Sequence, residues 1–120
     1  MLFRSDSLRV FLALVTHLDL ELVQFDIKTA FLYGDLQEEI FMEVPEGIRS
    51  ATSQNSVCRL LKAWYGLKQA ARCWNEKFTH ALRDLGLEQC ASEKCIFRGC
   101  VNDDEVIIAL FVDDGLVASR

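Results

Sequence analysis

The stretch Val106-Ile107-Ile108-Ala109-Leu110-Phe111-Val112-Asp113-Asp114-Gly115-Leu116-Val117-Ala118 decides the fold. Seven apolar residues run without a break into two adjacent carboxylates and a glycine, and the apolar pattern then resumes. A short continuous apolar run bounded by a turn signal is the mark of a buried strand. Asp-Gly between two such runs is a strong hairpin signal, so one reading is a hairpin whose Asp-Gly turn lies in water. The other follows from cost: carboxylates withdrawn from water at the mouth of a buried strand must be paired or coordinate a metal.

Working outward, Cys95 to Phe97 reads as a strand joined to Val106 to Val112 through the turn-forming Asn102-Asp103-Asp104. Upstream, Gly66 opens a long helix with Ala70, Trp74, Phe78, Leu82 and Leu85 on its apolar face, and Gly86 is placed to end it. Val57 to Leu61 is a weaker strand, and the polar, Ser-rich Arg49 to Ser56 is an exposed loop. Ile40 to Val44 is a short strand stopped by Pro45 and Gly47. Lys28 to Tyr33 is a helical turn ending at Gly34-Asp35. In Leu22 to Ile27, Val23, Phe25 and Ile27 alternate against Gln24 and Asp26, the pattern of a strand. A first helix, capped by Ser5 or Ser7, carries Leu8, Phe11, Leu12 and Val15 at helical spacing. The pattern predicts an α+β fold, a sheet with helices on one face.

Composition sets limits. The 120 residues suit one domain, and 51% hydrophobic content suffices for a core. No run approaches the ~20 apolar residues of a membrane span. The first residues mix Arg4, Asp6 and Arg9 with apolar positions and do not read as a signal peptide. A net charge of −5 argues against nucleic-acid binding through a general positive field, although local basic clusters remain open to phosphate. The five cysteines (Cys58, Cys73, Cys90, Cys95, Cys100) lack the short spacing of most zinc sites, and His17 and His80 fall in other elements. Buried, inert thiols are expected.

A third carboxylate changes the weight of the first two. Asp26 faces opposite to Phe25 and Ile27 on its strand. Alone it reads as a surface or edge residue. Beside Asp113 and Asp114 in one sheet it completes an acidic cluster, which repels itself unless a divalent cation neutralises it. Hard oxygen ligands suit Mg²⁺. Two such ions about 4 Å apart stabilise the attacking and leaving oxygens of an in-line phosphoryl displacement.

Three segments carry a resemblance. Gln24 to Leu36, with Glu38-Glu39-Ile40-Phe41-Met42 and Pro45-Glu46-Gly47, resembles the first catalytic motif of the reverse transcriptases of Ty1/copia-type retrotransposons. Tyr65-Gly66-Leu67-Lys68-Gln69-Ala70-Ala71-Arg72-Cys73-Trp74 resembles their second motif. Phe111-Val112-Asp113-Asp114 resembles the polymerase signature, with Phe111 where tyrosine is common. The similarity covers essentially residues 1–120, read as one partial reverse transcriptase domain with motifs at 24–36, 65–74 and 111–114.

The resemblance implies a reverse-transcriptase-like palm, a mainly antiparallel sheet backed by helices and incomplete at both ends. It implies an RNA-directed DNA polymerase within a Pol polyprotein whose element undergoes DNA integration. Asp26 and Asp113 would ligate Mg²⁺, or Mn²⁺ in its place, with the Ile27 carbonyl as a further ligand and Asp114 supporting the site. A primer 3′-hydroxyl would attack the α-phosphate of an incoming dNTP, directed by an RNA or DNA template. Phe31 matches the bulky residue that blocks a ribose 2′-hydroxyl, against its reading as a core aromatic. Tyr65, Gly66 and Gln69 match positions at the nascent base pair, and Lys68 and Arg72 match nucleic-acid contacts, against their reading as a solvated helix face. The expected partners are template-primer, dNTP and the missing fingers, thumb and ribonuclease H segments, with no membrane. The expected location is the cytoplasm, in a virus-like particle of the parent element, or the nucleus. The strand after Asp114 is expected to be cut to about four residues, leaving an unpaired apolar edge. Little or no primer extension is then expected from the chain alone. An inactive transposon remnant and a repurposed binding domain are the alternatives.

Overall fold

A computed structural model describes residues 5–51 and 55–120; Arg4 and part of the expected loop at 49–56 lie outside the described residues. Helix α1 spans Ser5–His17 and strand β1 Glu21–Asp26, followed by a 3₁₀ turn, Ala30–Tyr33. Strands β2 (Phe41–Glu43) and β3 (Val57–Arg59) flank a second 3₁₀ helix, Glu46–Ala51, where the sequence suggested only loop. Helix α2 covers Ala70–Asp84, and β4 (Leu87–Gln89), β5 (Ile96–Val101), β6 (Asp104–Phe111) and β7 (Asp114–Ser119) complete the chain. Five strands form one antiparallel sheet in the order β1-β7-β6-β5-β4, while β2 and β3 pair separately. The predicted α+β class and mainly antiparallel sheet are observed.

The apolar run is the central strand of this sheet. Ile107 to Leu110 are all buried, because β6 is covered on both faces. Phe11 and Val15 of α1 pack with Ile107, Ala109 and Ala118. On the other face Leu82 of α2 packs with Leu87, Phe97, Ile108 and Leu110. The expectation of helices on one face is therefore corrected: a strand apolar at every position needs a layer on each side, and α1 and α2 supply one each.

Local chemistry explains the boundaries. The β5–β6 hairpin closes through Asn102 and Asp103 at φ 52° and 70°. Positive φ at both central residues is the type I′ pattern, which Asn and Asp tolerate. Gly86, at φ 89°, follows the end of α2 and donates to Arg83 O at 2.9 Å, as a C-terminal glycine should. The start of α2 is later than predicted: Gln69, not Gly66, precedes its first residue. Leu85, assigned to the apolar face, lies beyond the last helical turn and is 60% exposed. Leu12 is likewise exposed on α1. Ser7, a candidate cap, lies inside α1 and donates to Glu93 Oε2 at 2.7 Å.

The strand that begins at Asp114 is longer than the roughly four residues expected. β7 holds six residues and is paired on both sides, to β6 and β1, so the expected open edge at β7 does not exist. The edges of the sheet belong to β1, where Val23 is 57% exposed, and to β4. The cysteines also divide. All five are free thiols; Cys73 and Cys95 are buried, and burial pushes both thiols up from their ordinary value, whereas Cys58 and Cys90 are half-buried and Cys100 is exposed.

Asp35 ties the first 3₁₀ turn to the rest. It forms an isolated antiparallel bridge with Lys62, and both Lys62 and Lys77 of α2 donate to its carboxylate, Lys77 at 2.8 Å. The Lys62 hydrogen bond, then that of Lys77, holds its carboxyl down at about 2 against an ordinary 3.8. A depressed folded-state pKa contributes stability above the unfolded value, and that contribution disappears as pH falls through the folded one. Asp35→Asn should therefore lower the urea midpoint at pH 7, with the deficit shrinking between about pH 4 and pH 2. A deficit unchanged across that window would contradict the assignment.

Candidate metal centre

The acidic cluster is built by strand register. Asp26, the last residue of β1, lies opposite Asp114, the first of β7, and Asp114 lies opposite Phe111 of β6. Residues directly opposite in an antiparallel pair share a face and lie close. Asp113 sits in the turn between β6 and β7. Its backbone carbonyl accepts from Ile27 N–H at 2.8 Å, which fixes the end of β1 against the turn. One carboxylate oxygen from each of Asp26, Asp113 and Asp114 lies within 4.8 Å of the others. Among the described residues this is the one group of three or more His, Cys, Asp or Glu side chains so arranged, and no cysteine belongs to it.

The hairpin was legible, but its turn sits two residues earlier than Asp-Gly suggested. Val112 and Asp113 are the turn residues, and Asp114 and Gly115 belong to β7. The glycine answers a different need: a Cβ on Gly115 would collide with the Phe25 ring of β1. Val112 takes φ 56°, where glycine is the usual residue of a two-residue turn and a β-branched side chain is strained. Trp74 of α2 holds it there, its Nε1–H donating to Val112 O at 2.5 Å. The sequence placed Trp74 on the apolar face and gave no sign of this second role.

The other expected site residues fall into two groups. Phe31 and Tyr65 meet, their ring centroids 4.8 Å apart. Phe31 is half-buried and lines a small cavity with Trp74, Leu110, Phe111 and Val112, which joins it to the turn that carries Asp113. Gly66 has φ 95°, and Gln69 precedes α2 with its carbonyl accepting from Cys73 N–H at 2.9 Å. Lys68 and Arg72 are exposed; Arg72 pairs with Glu38 at 3.2 Å and Glu76 at 3.8 Å. They lie on the outer side of α2, in a groove that does not include the three carboxylates.

Ligand oxygens on adjacent corners of an octahedral Mg²⁺ shell lie about 3 Å apart, and those on opposite corners about 4 Å. Carboxylates within 4.8 Å therefore need only small rotations to share one ion, so the donor set fits a hard divalent cation.

Two substitutions test how the turn is held. Trp74→Phe keeps the ring but leaves the Val112 carbonyl without its donor, and should cost about 1–3 kcal/mol in denaturant unfolding. Val112→Gly relieves the left-handed strain of about 1–2 kcal/mol against a smaller entropic cost, and should raise stability by about 0.5–1 kcal/mol. A loss on Val112→Gly as large as that for glycine in a strand interior would show that the turn is not strained.

The family model for "Reverse transcriptase (RNA-dependent DNA polymerase)" matches residues 2–120. The chain is 44% identical over 118 residues to the retrovirus-related Pol polyprotein from transposon TNT 1-94 of Nicotiana tabacum, covering 98% of this chain and 9% of that one. It is 32% identical over 117 residues to the retrovirus-related Pol polyprotein from transposon RE1 of Arabidopsis thaliana, covering 98% and 8%. To the truncated transposon Ty1-A Gag-Pol polyprotein of Saccharomyces cerevisiae it is 33% identical over 115 residues, covering 90% and 9%. The chain thus spans about a tenth of the length of the curated relatives it matches. No solved structure matches. No helix among the described residues is long and apolar enough to cross a membrane. The match along nearly the whole sequence, with Pol polyproteins of copia/Ty1-type transposons as relatives, bears out the resemblance carried by the three motifs: the chain belongs to the reverse transcriptase family.

Proposed function

We propose that this chain is the metal- and nucleotide-holding part of an RNA-directed DNA polymerase, working by two-metal nucleotidyl transfer from a dNTP to a primer 3′-hydroxyl. The observation that carries the reading is the convergence within 4.8 Å of Asp26, at the end of β1, with Asp113 of the β6–β7 turn and Asp114, which opens β7. Carboxylates left this close repel one another, and a fold that crowds them gains by binding a cation.

Asp26 and Asp113 hold the divalent ions, Mg²⁺ or Mn²⁺, with the Ile27 carbonyl adding an oxygen and Asp114 contributing charge at the rim. Bound there, divalent charge offsets that of a triphosphate and of an attacking hydroxyl. Phe31 and Tyr65 form an aromatic wall for the sugar and base, and Phe31 is the bulk that excludes a ribose 2′-hydroxyl. Gly66 lets the backbone approach the nascent pair without a side chain in the way, and Gln69 lies beside it. Lys68 and Arg72 take phosphates of the template-primer.

Calorimetric titration with Mn²⁺ tests the centre. The wild-type chain should bind, and Asp26→Asn/Asp113→Asn should lose at least tenfold in affinity while keeping or raising its metal-free unfolding midpoint. Equal binding by the two chains would remove the metal centre and leave the remnant or repurposed-domain reading in its place.

A further inference from the structure

The −5 chain carries a local reversal of charge. A groove of about 600 Å³ runs along the outer face of α2, between that helix and the turn joining β4 to β5. Its charged lining is Lys68, Arg72, Arg83 and Lys94 against the single carboxylate of Glu76. Arg72, Glu76, Thr79 and Arg83 recur at spacings of four, three and four, which puts them on one stripe of α2, and Lys68 lies just before the helix begins. Lys94 faces them from the turn, where Gln89 Nε2 donates to its backbone carbonyl at 2.6 Å and pins the turn.

Outside the groove Arg9, Lys28 and Arg120 stand without an ion pair among the described residues, while the other cations with described pairs find carboxylates: Arg59 with Glu39, Lys62 and Lys77 with Asp35, Arg98 with Glu105. In the groove Arg72 alone does so. Among the described residues Lys68, Arg83 and Lys94 have no ion-pair partner, although the chain holds 18 acidic residues to 13 basic ones. Thr79, on the same stripe and only 8% exposed, holds a hydroxyl with no hydrogen-bond partner, so it is not committed to the helix backbone. Gathering unpaired cations around one concavity costs repulsion that pairing or a bound anion would remove.

We propose that this groove binds the sugar-phosphate backbone of a single nucleic-acid strand, extending beyond Lys68 and Arg72 to Arg83 and Lys94. The inference rests on the polymerase reading for its choice of anion, and on the groove's length for its choice of a strand. Arg72 to Arg83 spans about 16 Å of helix. A strand advancing about 3.4 Å per nucleotide passes roughly five phosphates over that distance, whereas a free phosphate or pyrophosphate meets one end of the stripe. Asn75 and Gln89, also in the lining, offer amide donors to phosphate oxygens without reading sequence.

The test is fluorescence anisotropy with labelled single-stranded oligo(A) of 4 and 12 nucleotides, in EDTA, between 50 and 200 mM salt. The wild-type chain should bind the 12-mer more tightly than the 4-mer. Arg83→Glu/Lys94→Glu, at exposed positions, should weaken binding of the 12-mer at least tenfold and reduce the salt slope by about 1.4. Arg9→Glu/Arg120→Glu makes the same change in net charge away from the groove and should weaken it less than threefold. Asp26→Asn/Asp113→Asn should bind the 12-mer as tightly as wild type or tighter, so this assay stands or falls apart from the metal centre. Equal losses in the two charge-reversal variants, equal affinity for both lengths, full competition by equimolar pyrophosphate, or no binding at 50 mM salt would each overturn the proposal.

Discussion

β6 is buried on both faces, and the rest of the molecule is arranged around that constraint. A strand with no polar face cannot lie at the surface of a two-layer domain, so the chain places α1 against Ile107 and Ala109 and α2 against Ile108 and Leu110. The same strand fixes which way everything beside it points. β7 must present Leu116 and Ala118 to α1 and Val117 to α2, and β1 must set Phe25 over Gly115. Once those faces are assigned, Phe111, Asp114 and Asp26 lie in one row across the sheet. A slip of one residue would turn the carboxylates to the opposite face. The acidic centre thus inherits its geometry from apolar packing several residues away.

That dependence explains what the sequence could and could not convey. The buried strand, the hairpin and the acidic trio are short-range patterns, visible as an apolar run, a turn signal and an alternating segment. The exact turn residues were not visible, because Asp114-Gly115 looks like a turn dipeptide on local grounds. Only the Phe25 ring, from the far end of the chain, explains why the glycine belongs to the strand instead. The placement of helices on two faces is of the same kind, since each helix shows its apolar stripe but not the side of the sheet it will cover. Leu85 was misplaced for a local reason: the helix stops one residue before it, and Gly86 turns the chain away. Phe31 and Tyr65 belong to different motifs, and their contact follows from packing between them.

Charge is segregated to match. Three carboxylates gather at one end of the central sheet, while Lys68, Arg72, Arg83 and Lys94 line the groove beside α2. A net charge of −5 conceals this, which is why composition alone argued against nucleic-acid binding through a general positive field and left only local basic clusters open to phosphate. The two regions are joined mechanically through Trp74, which sits on α2 and hydrogen-bonds the turn that carries Asp113. Buried at the junction of helix and hairpin, this one side chain contributes both apolar area and the donor that holds a strained backbone in place.

The pairing of β1 with β7 also has a history in time. Five strands and α2 lie between them in the chain, so this is among the least local contacts the molecule makes. Closing so long a loop is entropically expensive and slow compared with forming the adjacent hairpins. On a ribosome, β1 emerges first and must wait for nearly all the rest before its partner exists. The repulsion between Asp26 and the Asp113-Asp114 pair is therefore met only when β1 docks on β7. A cation that binds the closed cluster and not the open chain favours that step alone, so ion concentration would act on the completion of folding as well as on the finished protein.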